Sequence, residues 1–230
     1  MSDSGNRKTA AELDDALRLL DHELNGLHLE QPMQIRAIGG YALLKHGVRK
    51  GDMAYTVDID TVTKDYSAEV IAAIETVAER LGLDSDFINN YNLMDEPEHV
   101  EQMLDAEWLP QPMGLRNIAV SIASIETLTR AKIIAADTAS LSGRDRDTID
   151  LQALLDHQGI TTMRQFNASY PDPYGEYPEA QEIVAAHFPG GARSVPSLAG
   201  MFPELQDVEL DPYGLGEDVD DYVDDTSFYR

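Results

Sequence analysis

Leu13, Leu17, Leu20 and Leu24 recur at spacings of three and four along TAAELDDALRLLDHELNGL, the stripe of one helix face. Thr9 and Glu12 stand ahead of it in capping-box spacing, so the pattern predicts a first helix that ends near Gly26. The period then changes. QIRAIGG alternates polar and apolar positions up to Gly39 and Gly40, and YALLKHGV resumes helical spacing until Gly47: strand, glycine turn, helix. MAYTVDIDTVT, rich in Val, Thr and Ile, predicts a second strand; on it Asp58 and Asp60 would project from one face, with Ile59 turned into a core. SAEVIAAIETVAERLGL is amphipathic from Ser67 to Gly82 and predicts a helix over the sheet. The stretch from Asp84 to Trp108 is mixed, with a short helix expected after Pro97 and Trp108 packed at the domain edge. LRNIAVSIAS predicts a third strand through Ile118, Val120 and Ile122. Ser124 then caps a helix over 125–139, and RDRDTIDLQALLDHQG predicts another ending at Gly159. No internal repeat interrupts this order, which predicts an α/β (α+β) chain: a small mixed sheet with flanking helices, followed by a helical segment.

Charge changes the picture of the C-terminal part. The chain of 230 residues carries 42 acidic and 17 basic side chains, a formal charge of −25. Residues 1–170 hold 28 acids and 15 bases, whereas residues 171–230 hold 14 acids against only Arg193 and Arg230. That last segment is also rich in Pro, Gly and Tyr and has only short apolar runs, a composition poor at offsetting ordering entropy. It predicts an acidic appendage, partly ordered by packing on a domain over 1–170. Tyr213, Tyr222 and Tyr229 within it are candidate anchors for a partner surface, or spacers in a solvated segment.

Several chemistries drop out. With no cysteine there is no disulfide framework, thiolate metal site or cysteine nucleophile. The six histidines form no His-x-x-x-His pair, and no serine lies in a G-x-S-x-G elbow. No window approaches the roughly 18 to 20 apolar residues of a membrane span, and MSDSGNRKTA lacks an apolar signal core; both predict a soluble cytoplasmic protein. The negative field opposes general DNA binding and leaves an RNA partner dependent on a local basic patch.

The remaining candidate chemistry centres on Asp58 and Asp60. Two carboxylates on one strand face repel unless solvated or bridged by a cation, and magnesium favours such oxygens beside nucleotide phosphates. The exposed polar face of an edge strand is the other reading. Gly39 and Gly40, between strand and helix, allow the backbone to approach a phosphate; a plain turn is again the alternative.

Taken together, AIGGYALLKHGVRKGDMAYTVDID resembles the signature of the nucleotidyltransferase superfamily with the DNA polymerase beta fold, and looks closest to the small bacterial branch of AbiEii-type and MenT-type toxin enzymes. LTRAKIIAADTASLSGRDRDTIDLQALL is similar to that branch's downstream segment and supplies Lys132, Arg146, Asp147 and Asp150. The resemblance covers roughly residues 34–155 and implies a sheet of nucleotidyltransferase type. It also implies Mg²⁺ on Asp58 and Asp60, a nucleotide cradle at Gly39 and Gly40, Lys132 on the phosphates and Asp147 facing the site, with Asp150 a helix anchor or cap. A solvated helical Lys132, and an Asp147 that only favours its helix N-terminus, are the alternatives. The implied reaction moves a nucleoside monophosphate from an NTP to a protein or tRNA acceptor, in a toxin with an antitoxin partner or in phage defence. A binding module on the same fold, without catalysis and acting through its acidic tail, is the rival.

The pattern departs from the family at three points. Relatives place an arginine two residues before the Thr that precedes the Asp pair, where this chain has Ala54, leaving Arg49 or Lys50 as substitutes. A third metal carboxylate from a later strand is replaced by Ser121, and the serine of the Gly-Ser turn by Gly40.

Overall fold

The structure, a computed structural model, describes residues 7–63, 66–90, 107–137, 145–172 and 174–188. Helix α1 (Ala10–Leu24) starts where the sequence places it: the Thr9 hydroxyl accepts from the Glu12 backbone N–H, and the Glu12 carboxylate accepts from that of Thr9. Such a reciprocal cap is worth about 1 kcal/mol. All four leucines of its stripe are fully buried.

Strand β1 (Met33–Ala37) alternates buried and exposed residues and leads through Ile38 into helix α2 (Gly39–Lys45). Two anchors hold α2. The buried Tyr41 hydroxyl donates to Asp14 at 2.6 Å and Lys45 reaches the other oxygen of Asp14 at 2.8 Å, while the His46 ring meets the carbonyl of Ala123 at 2.8 Å.

The second strand is shorter than its composition predicts. Gly51–Met53 is a single 3₁₀ turn and only Ile59–Asp60 forms strand β2. The reason lies in the backbone partners: Thr56 pairs with Lys8, an N-terminal residue, and the pairing switches only afterwards to β3 (Ile88–Asn89) on one side and the end of β1 on the other. Ile59 N–H donates to Phe87 and Thr61 N–H to Asn89, while the carbonyl of Asp60 accepts from Ile38 and Val62 donates to Arg36. Ile59 is fully buried, as its position between the aspartates requires.

Helix α3 (Ala68–Leu81) is capped by Ser67, closes on a left-handed Gly82 and packs against α1. Strands β4 (Trp108–Gln111) and β5 (Ile118–Ala123) complete a three-stranded sheet in the order β1-β5-β4, in which β1 and β5 are parallel and β4 antiparallel. β2 and β3 form a parallel two-stranded sheet, joined to β1 by the Ala37–Thr61 bridge. The chain is thus mixed α/β, with a small mixed sheet and a two-stranded parallel one.

The described residues from Ile125 onward are helical: α4 (Ile125–Asp137), α5 (Asp145–His157), α6 (Met163–Ser169) and α7 (Pro178–His187). Ser124 accepts from the Thr127 N–H at the start of α4, and Gly159 follows α5 with positive φ. Two apolar cores result. The larger one gathers α1, α2, α3 and the strands, and the second joins Ile133 and Ala136 of α4, Leu151 and Leu155 of α5, Phe166 of α6 and Val184 of α7. Leu154 of α5 belongs to the larger core, so α5 is packed into both.

Helix α7 belongs to the segment expected as an appendage, and its Glu179 and Ala180 N–H groups donate to Asp137. Contacts divide the chain after Ala192. All that follows, including Tyr213, Tyr222 and Tyr229, lies outside the described residues, as does the helix expected after Pro97. Among the described residues no helix is long and apolar enough to cross a membrane.

Candidate functional site

The glycine turn owes its composition to what presses on it. Gly39 has φ of +61°, a conformation that strains any residue with a Cβ, and an added Cβ would strike the Asp60 carboxylate, whose Cγ lies 3.1 Å from that point. At Gly40 an added Cβ would strike the Thr56 hydroxyl and come within 2.6 Å of Arg49 Nη1. The turn, Asp60, Thr56 and Arg49 therefore form one close-packed group, fixed from below by β1, β2 and the anchors of α2.

Asp58 stands beside it. Its pKa is raised to about 6, first by burial and then by the charge of Asp60, with Asp86 adding to the effect; a hydrogen bond from Asn89 and the charge of Arg146 act in the opposite direction. The Asn89 amide donates to Asp58 Oδ2 at 3.1 Å, and Asn89 sits opposite Asp60 in the β2–β3 register. A cation on the two aspartates would relieve the repulsion that raises this pKa. Among the described residues no group of three or more His, Asp or Glu is placed to hold a metal. An ion here would have two protein carboxylates and draw its other ligands from phosphate and water, the manner in which magnesium is commonly bound.

A second charged group lies behind the turn. Arg49, 7% exposed, donates from Nε and Nη2 to the two oxygens of Asp150, at 2.8 and 2.7 Å, and from Nη1 to the carbonyl of Tyr55 at 2.9 Å. Lys132 reaches Asp147 at 2.5 Å and Asp150 at 3.1 Å. Burial would raise the pKa of Asp150, but the bonds from Arg49 and the charge of Lys132 outweigh it and leave the pKa lowered. Two cations and two carboxylates thus compensate one another in a nearly dry setting.

Arg146 extends this group outward. Its Nη2 donates to the Tyr55 carbonyl at 3.0 Å, its guanidinium lies 4.7 Å from the centre of the Tyr55 ring, and the Arg7 guanidinium lies 4.2 Å from the same ring.

The structure therefore brings Gly39, Gly40, Asp58 and Asp60 together, and gathers Lys132, Asp147 and Asp150 around Arg49. Arg49, one of the two cations offered in place of the missing arginine, reaches Gly40 and Thr56. Asn89, Asp86, Tyr55 and Arg7 escaped the reading of the sequence. A two-residue strand carries too little periodicity to reveal Asn89, and the approach of Arg7 to Tyr55 depends on a long-range bridge with no local signature. No protein-family model, curated protein or solved structure matches this chain.

Proposed function

We propose that this protein is a metal-dependent nucleotidyltransferase that moves a nucleoside monophosphate from an NTP to a hydroxyl of a protein or RNA acceptor. The observation that carries the reading is the packing of the Asp60 carboxylate against a turn that only glycine can form, with Asp58 close enough for the two charges to act on each other. Strand, glycine turn and paired aspartates are then one construction.

Asp58 and Asp60 would hold magnesium, which supplies charge neutralisation at the phosphates when bound. The residues of the chain do the rest. Gly39 and Gly40 let the turn close directly on Asp60 and Thr56, Asn89 orients Asp58, and Arg146 places positive charge beside the aspartates. The acceptor oxygen attacks the α-phosphorus, its proton passes to water, and pyrophosphate leaves with the electrons of the broken P–O bond. Positioning and electrostatics account for the acceleration.

The test is incubation with each α-labelled NTP and Mg²⁺ in cell lysate beside an Asp58→Ala/Asp60→Ala variant, followed by separation of protein and RNA. Label found only with the wild type supports transfer and identifies the acceptor class; equal label in both lanes removes the reading. The toxin setting implied by the sequence resemblance belongs to the same proposal: expression should arrest growth unless Asp58 is replaced, and an antitoxin partner should relieve the arrest.

One observation favours a second reading, a nucleotidyltransferase-fold module that binds without catalysis and engages a basic partner through its acidic C-terminal segment. Lys132 is held by Asp147 and Asp150, and the neighbour of the aspartates on β3 is a neutral amide. Binding of Mg·NTP without label transfer would select it.

A further inference from the structure

We infer that Arg7 and Arg146, gathered on the ring of Tyr55, form a subsite for the terminal phosphates of the nucleotide. The inference rests on the nucleotidyltransferase reading for the identity of the ligand, and on the following geometry for the subsite.

Arg7 lies outside the segment that resembles nucleotidyltransferases and reaches the site by its own route. Lys8 exchanges two backbone hydrogen bonds with Thr56, at 2.7 and 2.8 Å, and Thr9 begins α1, so the backbone on either side of Lys8 is fixed. Thr56 is the residue that packs against Gly40. The bridge therefore delivers Arg7 next to Tyr55, the neighbour in sequence of Thr56, where its guanidinium meets the ring at 4.2 Å.

Arg146 comes from the start of α5 and meets the same ring at 4.7 Å. Nη2 is satisfied by the Tyr55 carbonyl, but Nε is buried and has no hydrogen-bond partner. A buried donor left unpaired carries its full desolvation penalty, which an acceptor brought by a ligand would remove. The pKa of Arg146 is lowered by burial first, then by the charge of Arg49, with Arg7 adding to the effect and Asp150 opposing it.

Like charge is thus crowded here, and the nearby Asp150 offsets it only in part because it is already engaged by Arg49 and Lys132. Arg49 and Lys132 have Asp147 and Asp150, whereas among the described residues neither Arg7 nor Arg146 is ion-paired with a carboxylate. The Tyr55 ring offers only a weak cation–π attraction, and the Tyr55 carbonyl is already shared by Arg49 and Arg146. An anion with several oxygens would satisfy all of this at once, and guanidinium groups match phosphate through paired N–H donors.

Position assigns the phosphate to the nucleotide tail. Both guanidinium groups lie on the ring of Tyr55, and Tyr55 adjoins Thr56, the residue packed on Gly40 beside Gly39 and Asp60. A triphosphate whose reacting phosphate lies at the aspartates would extend its outer phosphates past Thr56 toward the two arginines.

Calorimetric titration of the full chain tests this, with inorganic tripolyphosphate, each NTP, the matching NMP and a short single-stranded RNA as probes in Mg²⁺ buffer. The exposed Arg7 is the residue to change. Arg7→Ala should weaken tripolyphosphate and NTP at least about tenfold, the worth of one charge-assisted hydrogen bond, leave NMP unchanged, and be partly restored by Arg7→Lys. Unchanged tripolyphosphate binding overturns the subsite, and weakened RNA binding with unchanged NTP binding overturns its assignment to the nucleotide. Transfer that depends on Asp58 but shows an unaltered KM for NTP in Arg7→Ala removes the subsite and leaves the transferase reading intact. Tripolyphosphate binding that depends on Arg7, in a protein without transfer activity, does the reverse.

Discussion

Arg49 and Asp150 meet end to end through two hydrogen bonds, 2.8 and 2.7 Å long, across a separation of 101 residues, with side chains only 5% and 1% exposed. One lies just after α2 and the other inside α5, so the pair joins the glycine turn to the helical half of the molecule. Such a pair is weak as a source of net stability but expensive to break, because the survivor is a buried charge.

Asp150→Ala should therefore destabilise the protein by about 3–5 kcal/mol, measured by urea unfolding. Arg49→Lys should recover little, since one ammonium cannot span both carboxylate oxygens and the Tyr55 carbonyl. A loss below 1 kcal/mol in Asp150→Ala would show that the pair is more hydrated than its burial indicates.

Lys132 and Asp147 offer a sharper distinction between a structural and a phosphate-binding lysine. If their 2.5 Å contact is chiefly mutual compensation, Lys132→Met and Asp147→Asn should each destabilise, and the double variant should be destabilised by less than the sum, with about 1–3 kcal/mol of coupling. Additive losses would free Lys132 for a role on the nucleotide.

Replacement of the turn glycines should act on the site before it acts on the fold. Gly39→Ala combines a φ of +61° with a collision against the Asp60 carboxylate, and Gly40→Ala displaces Thr56 or Arg49. Strain of about 1–3 kcal/mol is expected from the former. Displacement of the aspartate by the order of 1 Å should lower transfer about a hundredfold while circular dichroism remains native. Full activity in Gly39→Ala would mean that Asp60 does not work from the position it occupies against the turn.

Asp58 supplies a prediction in pH. In divalent-free buffer its pKa is about 6 in the folded protein, above the ordinary value of roughly 3.9 for an unfolded chain, so between these values the folded state binds more protons. The contribution of Asp58 to stability must fall as pH rises from about 4 to about 6 and level off above. The measurable quantity is the stability of the wild type minus that of Asp58→Asn across this range; a difference that grows with pH contradicts the placement. Asp60→Asn should shrink the slope without abolishing it, because burial, the larger cause, persists. Mg²⁺ should flatten the slope if it binds both carboxylates.

The legible parts of the fold were those in which a local pattern coincides with a local cause. The α1 leucines, the Thr9 cap, the Ser67 and Gly82 ends of α3 and the alternation of β1 each depend on neighbours within a turn or two. Strand β2 is shorter than its Val, Thr and Ile content signals because its length is set by partners: Lys8 takes the backbone of Thr56 and β3 offers only two residues. β3 and β4 carry two and four residues, and Pro110 stands in β4, so neither presents a period to detect. Helix α6 spans only seven residues and α7 lies where Pro, Gly and Tyr obscure the apolar spacing, yet Phe166 and Val184 are buried in the second core. In the candidate site the glycines and aspartates were visible as a string. The environment of Lys132 was not, since Asp150 is engaged through an arginine 101 positions away.

Helix α5 gives the site an unexpected dependence. It sends Leu154 into the core beneath the sheets and Leu151 and Leu155 into the core among the helices, while carrying Arg146, Asp147 and Asp150. An opening of the second core that shifts α5 would therefore move Arg146 and the carboxylate that holds Arg49 together. The amides of α5 should exchange with solvent in step with those around the glycine turn, and a molecule that tightens the helical half would slow exchange at Gly40 without touching it. The distant helices thereby act as a tensioner for the turn.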